Sequence, residues 1–324
     1  MQRLMSLVVG LLIVFSACEV RADDAQDKAV AAVEKLGGKV IRDQRAAGKP
    51  VTKVDFVGLY KVTDGDLKAL AGLKSLEDMN LNRTQVTDAG LKELAVHTNL
   101  KYLVLTGTQV TDLGMKELAP LSSLSQLQLI STKVGDAGVK ELASLKGLTS
   151  LNLRDTLTGD AGLKALAALP VLTQLDLERT SVTDTGMKDV AELKKLHVLN
   201  LCSTKVGATG VKALAALPEL RELSLSGTAV TDDVVKELTE LKGLTSLHLF
   251  NTKVSDEGVK RLTSLTKLST LSLRGTQVSD AAMKDLAALK RMTTLDVSGS
   301  KVTEKGVKSL QSSLPKCVIT YKYK

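Results

Sequence analysis

Leu100–Ser123 reads LKYLVLTGTQVTDLGMKELAPLSS, and the spacing of its apolar residues decides the architecture. Leu100, Leu103 and Leu105 stand at positions 1, 4 and 6, the alternation of a strand. Val110, Met115 and Leu118 follow at positions 11, 16 and 19, ending on the three-residue step of a helix. These 24 residues therefore predict a short strand, a turn and a short helix. Such a unit is too small to bury its own apolar face, so it must stack against others like it.

The others are present. Leu76, Leu100, Leu124, Leu148, Leu172, Leu196, Leu220, Leu244, Leu268 and Met292 are each 24 residues apart and open ten frames that fill 76–315. An earlier frame begins at Val51, with Val54, Phe56, Val62, Leu67 and Leu70 in the core positions and one extra residue before Val62, making eleven in all. Stacking predicts an α/β solenoid with a parallel sheet on the concave face and short helices on the convex face. At about 4.8 Å per strand, eleven rungs give a sheet roughly 50 Å long.

The frame Leu-x-x-Leu-x-Leu-x-x-Thr-x-Val-Thr-Asp-x-Gly-Leu-Lys resembles the leucine-rich repeat, whose general signature carries Asn or Cys where this chain has Thr. It is most similar to the exported repeat proteins of planctomycete-type bacteria, and the resemblance implies a horseshoe solenoid that binds other macromolecules. It is also similar to the repeats of F-box substrate receptors. No F-box-like segment is recognisable before the repeats, and an exported chain would meet no ubiquitin machinery, so that function is set aside.

Residues 1–22 combine a basic start (Arg3), an apolar run from Leu4 to Phe15 and then small residues, the pattern of an export signal. The run is about 12 residues, short of the roughly 18–20 that cross a bilayer. Two processing routes are open. Cleavage after Ala22 releases a soluble protein, whereas Phe15-Ser16-Ala17-Cys18 resembles a bacterial lipobox and would make Cys18 a lipidated membrane tether. Either route places the protein outside the cytoplasm: periplasmic, membrane-tethered or secreted. Residues 23–50 are expected to cap the solenoid, with Ala29, Val33 and Leu36 on one helix face and a strand at Val40-Ile41; 51–315 hold the eleven repeats. Residues 316–324 read as a final strand outside the repeat pattern, whose lysines discourage edge pairing.

Composition narrows the function. Aromatics are 2% of the chain, with no Trp, four Tyr and three Phe, too few to line a groove that stacks bases, so nucleic acid is excluded as a partner. No Gly-rich phosphate loop is present and no cofactor is implied. His97, His197 and His248 fall at positions 22, 2 and 5 of different frames and diverge, forming neither a triad nor a metal set. His97 reads as a surface irregularity. Cys202 and Cys317 lie nearly five rungs apart, about 20 Å or more and beyond disulfide reach. No catalytic or metal site is expected, and the chain is expected to be monomeric.

Several columns run along the stack. Asp or Glu holds position 13 in nine of ten regular frames, Ala208 being the exception, and reads as a helix N-cap. Lys holds position 17 in all ten, from Lys92 to Lys308, and reads as the ion-pair partner of the acid four residues before it. The alternative use of that column is a basic stripe for a polyanion or cell-wall polymer. Thr at position 9, from Thr84 to Thr276 and then Ser300, reads as satisfying turn groups between rungs. Gly at position 15, replaced by Val234 and Ala282, reads as steric clearance. Thr158, where Val is expected, predicts a locally distorted turn.

Strand positions 3, 5 and 7 point away from the core and vary from frame to frame while the core does not, as expected of a recognition face. Tyr102, Val104 and Ile130 form a small apolar centre beside Gln126 and Gln128, with Arg154 on the next rung. A second candidate contact is His248 and Phe250 with Arg274. The expected ligand is a protein or peptide.

Overall fold

A computed structural model describes residues 24–322; residues 1–23, where the export signal and Cys18 lipidation were expected, and the last two residues lie outside the described residues. Residues 24–35 form a helix that buries Ala29, Val30 and Val33, and its Gln26 accepts the Val51 amide at 2.8 Å. Strand β1 (Lys39–Arg42) follows and pairs antiparallel with β2 (Val51–Asp55). From β2 to β13 (Val318–Thr320) every strand pairs parallel with the next, in sequence order, within one thirteen-stranded sheet.

The register is the sequence period. Tyr102 lies beside Gln126 and Leu103 beside Leu127, while Lys53 pairs with Asp78, an offset of 25 that absorbs the extra residue of the first frame. Helices of four to ten residues, such as Asp88–Leu94, return the chain across the convex side. The repeating leucines face inward: Leu100, Leu103, Leu105 and Leu118 are completely buried within one continuous apolar core. In the turn after each strand from β2 to the one before β13, position 8 is left-handed, Gly at Gly107, Gly227 and Gly275 but Arg83, Ser131 and Asn251 elsewhere. The turn requires that conformation whether or not glycine supplies it. Its reward is a bond between rungs, since the Arg83 amide there donates to Thr106 O at 2.8 Å.

Several expectations need correction. Cys317–Tyr321 does not leave the repeat pattern: Ile319 pairs with Leu295, 24 residues earlier, so the chain ends on a further half-rung. Position-9 threonines act within their own rung, Thr108 Oγ1 donating to Leu105 O at 2.6 Å and Thr132 to Leu129 O at 2.7 Å. The turn at Thr158 is undistorted. Thr fills the volume of Val, shares a 2.9 Å bond with Thr156, and its carbonyl still accepts the Ser181 amide at 3.0 Å.

The acidic column is not the cap. Thr111 is the N-cap, its Oγ1 accepting the Leu113 amide at 3.3 Å, and Asp112 is the first helical residue. The carboxylates instead staple successive rungs. Asp88 accepts both the amide and the hydroxyl of Thr111 at 2.7 Å, and Asp160–Thr183, Asp232–Ser255, Asp256–Ser279 and Asp280–Thr303 repeat the pair. Where Gly135, Gly159 or Gly207 takes the cap position, only the amide bond remains.

This staple explains position 15. A Cβ on Gly138 would lie 2.6 Å from Asp112 Oδ1, and one on Gly162 would lie 2.8 Å from Asp136 Oδ1. The exceptions follow. Val234 stands one rung beyond Ala208, where no carboxylate needs the room. Ala282 stands beyond Asp256, and the helix there opens with a 3₁₀ turn, Asp280–Ala282.

Between the rungs that begin at Leu196 and Leu220 the staple is missing, and Thr231 makes no side-chain cap bond. The backbone bonds that join neighbouring turns, Lys205 to Val182 at 3.1 Å and Lys253 to Val230 at 2.9 Å, have no counterpart from Ala229 to Val206. On the concave side β8 (Val198–Asn200) and β9 (Glu222–Ser224) remain paired.

Candidate functional site

The concave face is built from three-residue strands, so each rung presents positions 3 and 5 on the sheet and position 7 at the start of the turn. Pairing puts Tyr102 next to Gln126 and Val104 next to Gln128. Tyr102, Gln128 and Ile130 are half-buried and Gln126 is exposed, but Val104 is only 8% exposed. Val104 therefore supports the patch from below and offers little surface of its own.

Arg154 does not stand free. Its guanidinium pairs with Glu178 at 3.2 Å, and its amide donates to Asn152 Oδ1 at 2.9 Å. Asn152 reaches Asp176 at 3.3 Å and Asn200 reaches Glu178 at 3.2 Å, closing a polar network across three rungs. Burial pushes the Asp176 carboxyl above the usual range. Sequence reading missed this network, although Asp176, Glu178 and Asn200 stand in the same outward columns. Much of position 5 is also locally engaged: the Asn80 and Asn200 side chains accept amides two residues on at 3.0 Å.

His248 and Phe250 lie five rungs beyond the first patch, about 24 Å along the sheet, and form a separate one. Arg274 covers the Phe250 ring at 5.0 Å from its centroid, and His248 Nε2 lies 3.0 Å from Ser246 Oγ. Three further exposed apolar residues, unread from sequence, lie in the N-terminal part of the stack: Ile41, Val57 and Tyr60 are 56%, 52% and 61% exposed. Val57 occupies position 7 of the first frame, which is the signal that could have found it.

His97 is corrected from surface to core. It is 1% exposed, its Nδ1 lies 3.2 Å from Leu73 O, and burial lowers its pKa. His197 instead contacts Glu219 at 2.9 Å beside Lys195. Cys202 and Cys317 are free thiols. Among the described residues no group of three or more His, Cys, Asp or Glu could hold a metal ion, and no helix is long and apolar enough to cross a membrane.

The expected pairing of the convex lysines also fails in most frames. It forms at Glu304–Lys308, 2.8 Å. Elsewhere the Asp oxygens are engaged with the next rung, and among the described residues Lys116 alone of the remaining column has an ion pair, with Glu117 at 4.0 Å.

A family model described as a leucine-rich repeat region matches residues 160–319, and a single leucine-rich repeat model matches 96–119. The chain is a leucine-rich repeat protein. Its solenoid is similar to an internalin (inlF) from Listeria monocytogenes, at 22% identity and a TM-score of 0.66 over 93% of this chain and 90% of that one. A leucine-rich repeat protein of Leptospira interrogans, LIC12759, aligns at 24% identity and 0.56 over 78% and 74%. Internalin C2 of Listeria monocytogenes aligns at 24% and 0.53 over 69% and 92%. At these identities the likeness is one of fold. No curated protein sequence matches the chain.

Proposed function

We propose that this leucine-rich repeat protein is a non-enzymatic scaffold that binds a protein or peptide partner along its concave sheet, as a monomer outside the cytoplasm. The observation that carries the reading is the contrast between buried columns that stay aliphatic, mostly leucine, and outward columns that vary along the stack, with Tyr102 and Ile130 as apolar anchors beside Gln126 and Gln128. A rigid sheet holds these side chains in place before binding, which lowers the ordering cost of recognition. The internalin-like architecture supports the same use. The convex lysines suit polymer binding less, because an acid precedes most of them by four residues and another acid, such as Glu93, Glu117 or Asp189, directly follows six of the ten.

The test is capture from cell-envelope extract, with the retained protein identified and its affinity measured. Tyr102→Ala and Ile130→Asp should each weaken that affinity at least tenfold, and unchanged binding by both variants counts against the patch. Export rests on residues 1–22. Mass spectrometry of the mature chain should find an N-terminus at Asp23 or a lipid-modified Cys18, and an intact Met1 in envelope material would remove that part of the reading.

A further inference from the structure

The loops that carry each helix back to the next strand form a flank of the solenoid, distinct from both the concave sheet and the convex lysine column. In the N-terminal half two of their cations are engaged, Lys101 with Glu77 at 2.8 Å and Lys146 with Ala168 O at 3.0 Å, and Lys74 is exposed without an ion pair among the described residues. The C-terminal half carries more of them. Arg221, Lys242, Lys267, Lys290, Arg291 and Lys316 are exposed, and among the described residues none has a carboxylate within ion-pair distance. Glu219 and Glu240 are the acids in these loops, and Glu219 is already bound by Lys195 at 2.8 Å and His197 at 2.9 Å.

Three of them converge. Arg221, Lys267 and Arg291, from the loops that precede the strands at Glu222, Thr270 and Thr294, line a groove of about 420 Å³ together with Pro218, Gly243 and Thr245; Glu219 also borders it. Like charges that line one groove repel one another unless an anion lies between them. No residue lining the groove is aromatic, so it offers positive charge without a surface for stacking bases.

We propose that this groove binds a linear polyanion bearing phosphate or sulfate groups, laid along the flank across successive rungs. The site is independent of the concave reading, and either can fail without the other. Tetrahedral oxyanions present acceptors in several directions, which suits cations arriving from three rungs, and the two arginines can each bind such a group through two parallel N–H bonds.

The experiment measures binding of fluorescent heparin and of inorganic polyphosphate to the full chain by anisotropy at 50 and 200 mM NaCl. The triple variant Arg221→Gln, Lys267→Gln, Arg291→Gln should lower affinity for the preferred probe at least tenfold and flatten its salt slope by about two, on the single-strand scale for three lost contacts. A control triple on the convex column, Lys140→Gln, Lys164→Gln, Lys188→Gln, should change affinity less than twofold. Preference for one probe identifies sulfate or phosphate as the recognised group. Binding to neither probe at 50 mM NaCl, equal loss in the two triples, or tighter binding to polyglutamate or duplex DNA of matched charge overturns the proposal.

Discussion

His97 stands in a column that Leu73 and Leu121 continue on either side, both completely buried. Its Nδ1 contacts the Leu73 carbonyl, while its Nε2 is buried without a hydrogen-bond partner, so a second proton there would have no acceptor. Burial is the main cause of the lowered pKa, with Lys74 adding to it. The folded state therefore holds the neutral ring, whereas the unfolded chain protonates near pH 6.5. Its penalty is absent well above that value and grows as pH falls below it. Thermal melts at pH 7.5 and 5.0 should show a smaller acid-induced drop in Tm for His97→Leu than for wild type, and an equal drop would refute the assignment. At pH 7.5 the same change should stabilise by about 1 kcal/mol, because it removes an unsatisfied buried nitrogen. The column was legible from the 24-residue spacing. Whether its odd member faced solvent or core was not, since the carbonyl that receives the ring belongs to the previous rung.

At the scale of the helix and its turn, the unit of stability is a pair of rungs sharing an aspartate. Asp88→Ala strands the Thr111 amide and hydroxyl and should cost about 1–3 kcal/mol in urea denaturation. The boundary at Ala208 lacks this staple, and Val234 occupies the space it leaves. Ala208→Asp alone sets a carboxylate against Val234, and Val234→Gly alone removes a buried side chain, so each should destabilise. Together they rebuild the pattern seen at Asp232 and Ser255, and the double-mutant cycle should show favourable coupling of about 1–3 kcal/mol. Strict additivity would remove the explanation offered for position 15. In native-state hydrogen exchange, the amides of Ala229 and Thr231 should exchange faster than those of Lys253 and Ser255, which are bonded across their boundary. The sequence displayed both exceptions, Ala208 and Val234, but their dependence on each other appears only when one rung is laid on the next.

Across the whole molecule, stability is a sum over neighbours, because a rung touches little beyond the rungs beside it. Leu175→Ala in the middle of the stack should therefore cost about 2–5 kcal/mol, the usual range for a buried leucine, measured by urea denaturation. The ends are treated differently. The antiparallel β1 and the helix at residues 24–35 close one end, while the other stops at the half-rung of β13 with Val318 67% exposed and lysines on either side. Charge is also uneven at this scale, gathering on one flank of the C-terminal half. Single frames give no hint of that asymmetry, because the cations belong to successive loops that only the stack aligns.

Sequence alone determined the period, the order of strand and helix in each rung, the aliphatic core and the outward columns. All of these follow from side-chain spacing within 24 residues, where the local periods of strand and helix leave little choice. Tertiary structure alone decided what each polar column touches: aspartates that bind the following rung, threonines that bind their own, an arginine held by Glu178 and a histidine taken into the core. The physical reason is that partners one rung apart are 22 to 25 residues apart in the chain, and a hydrogen bond depends on angstroms across that gap.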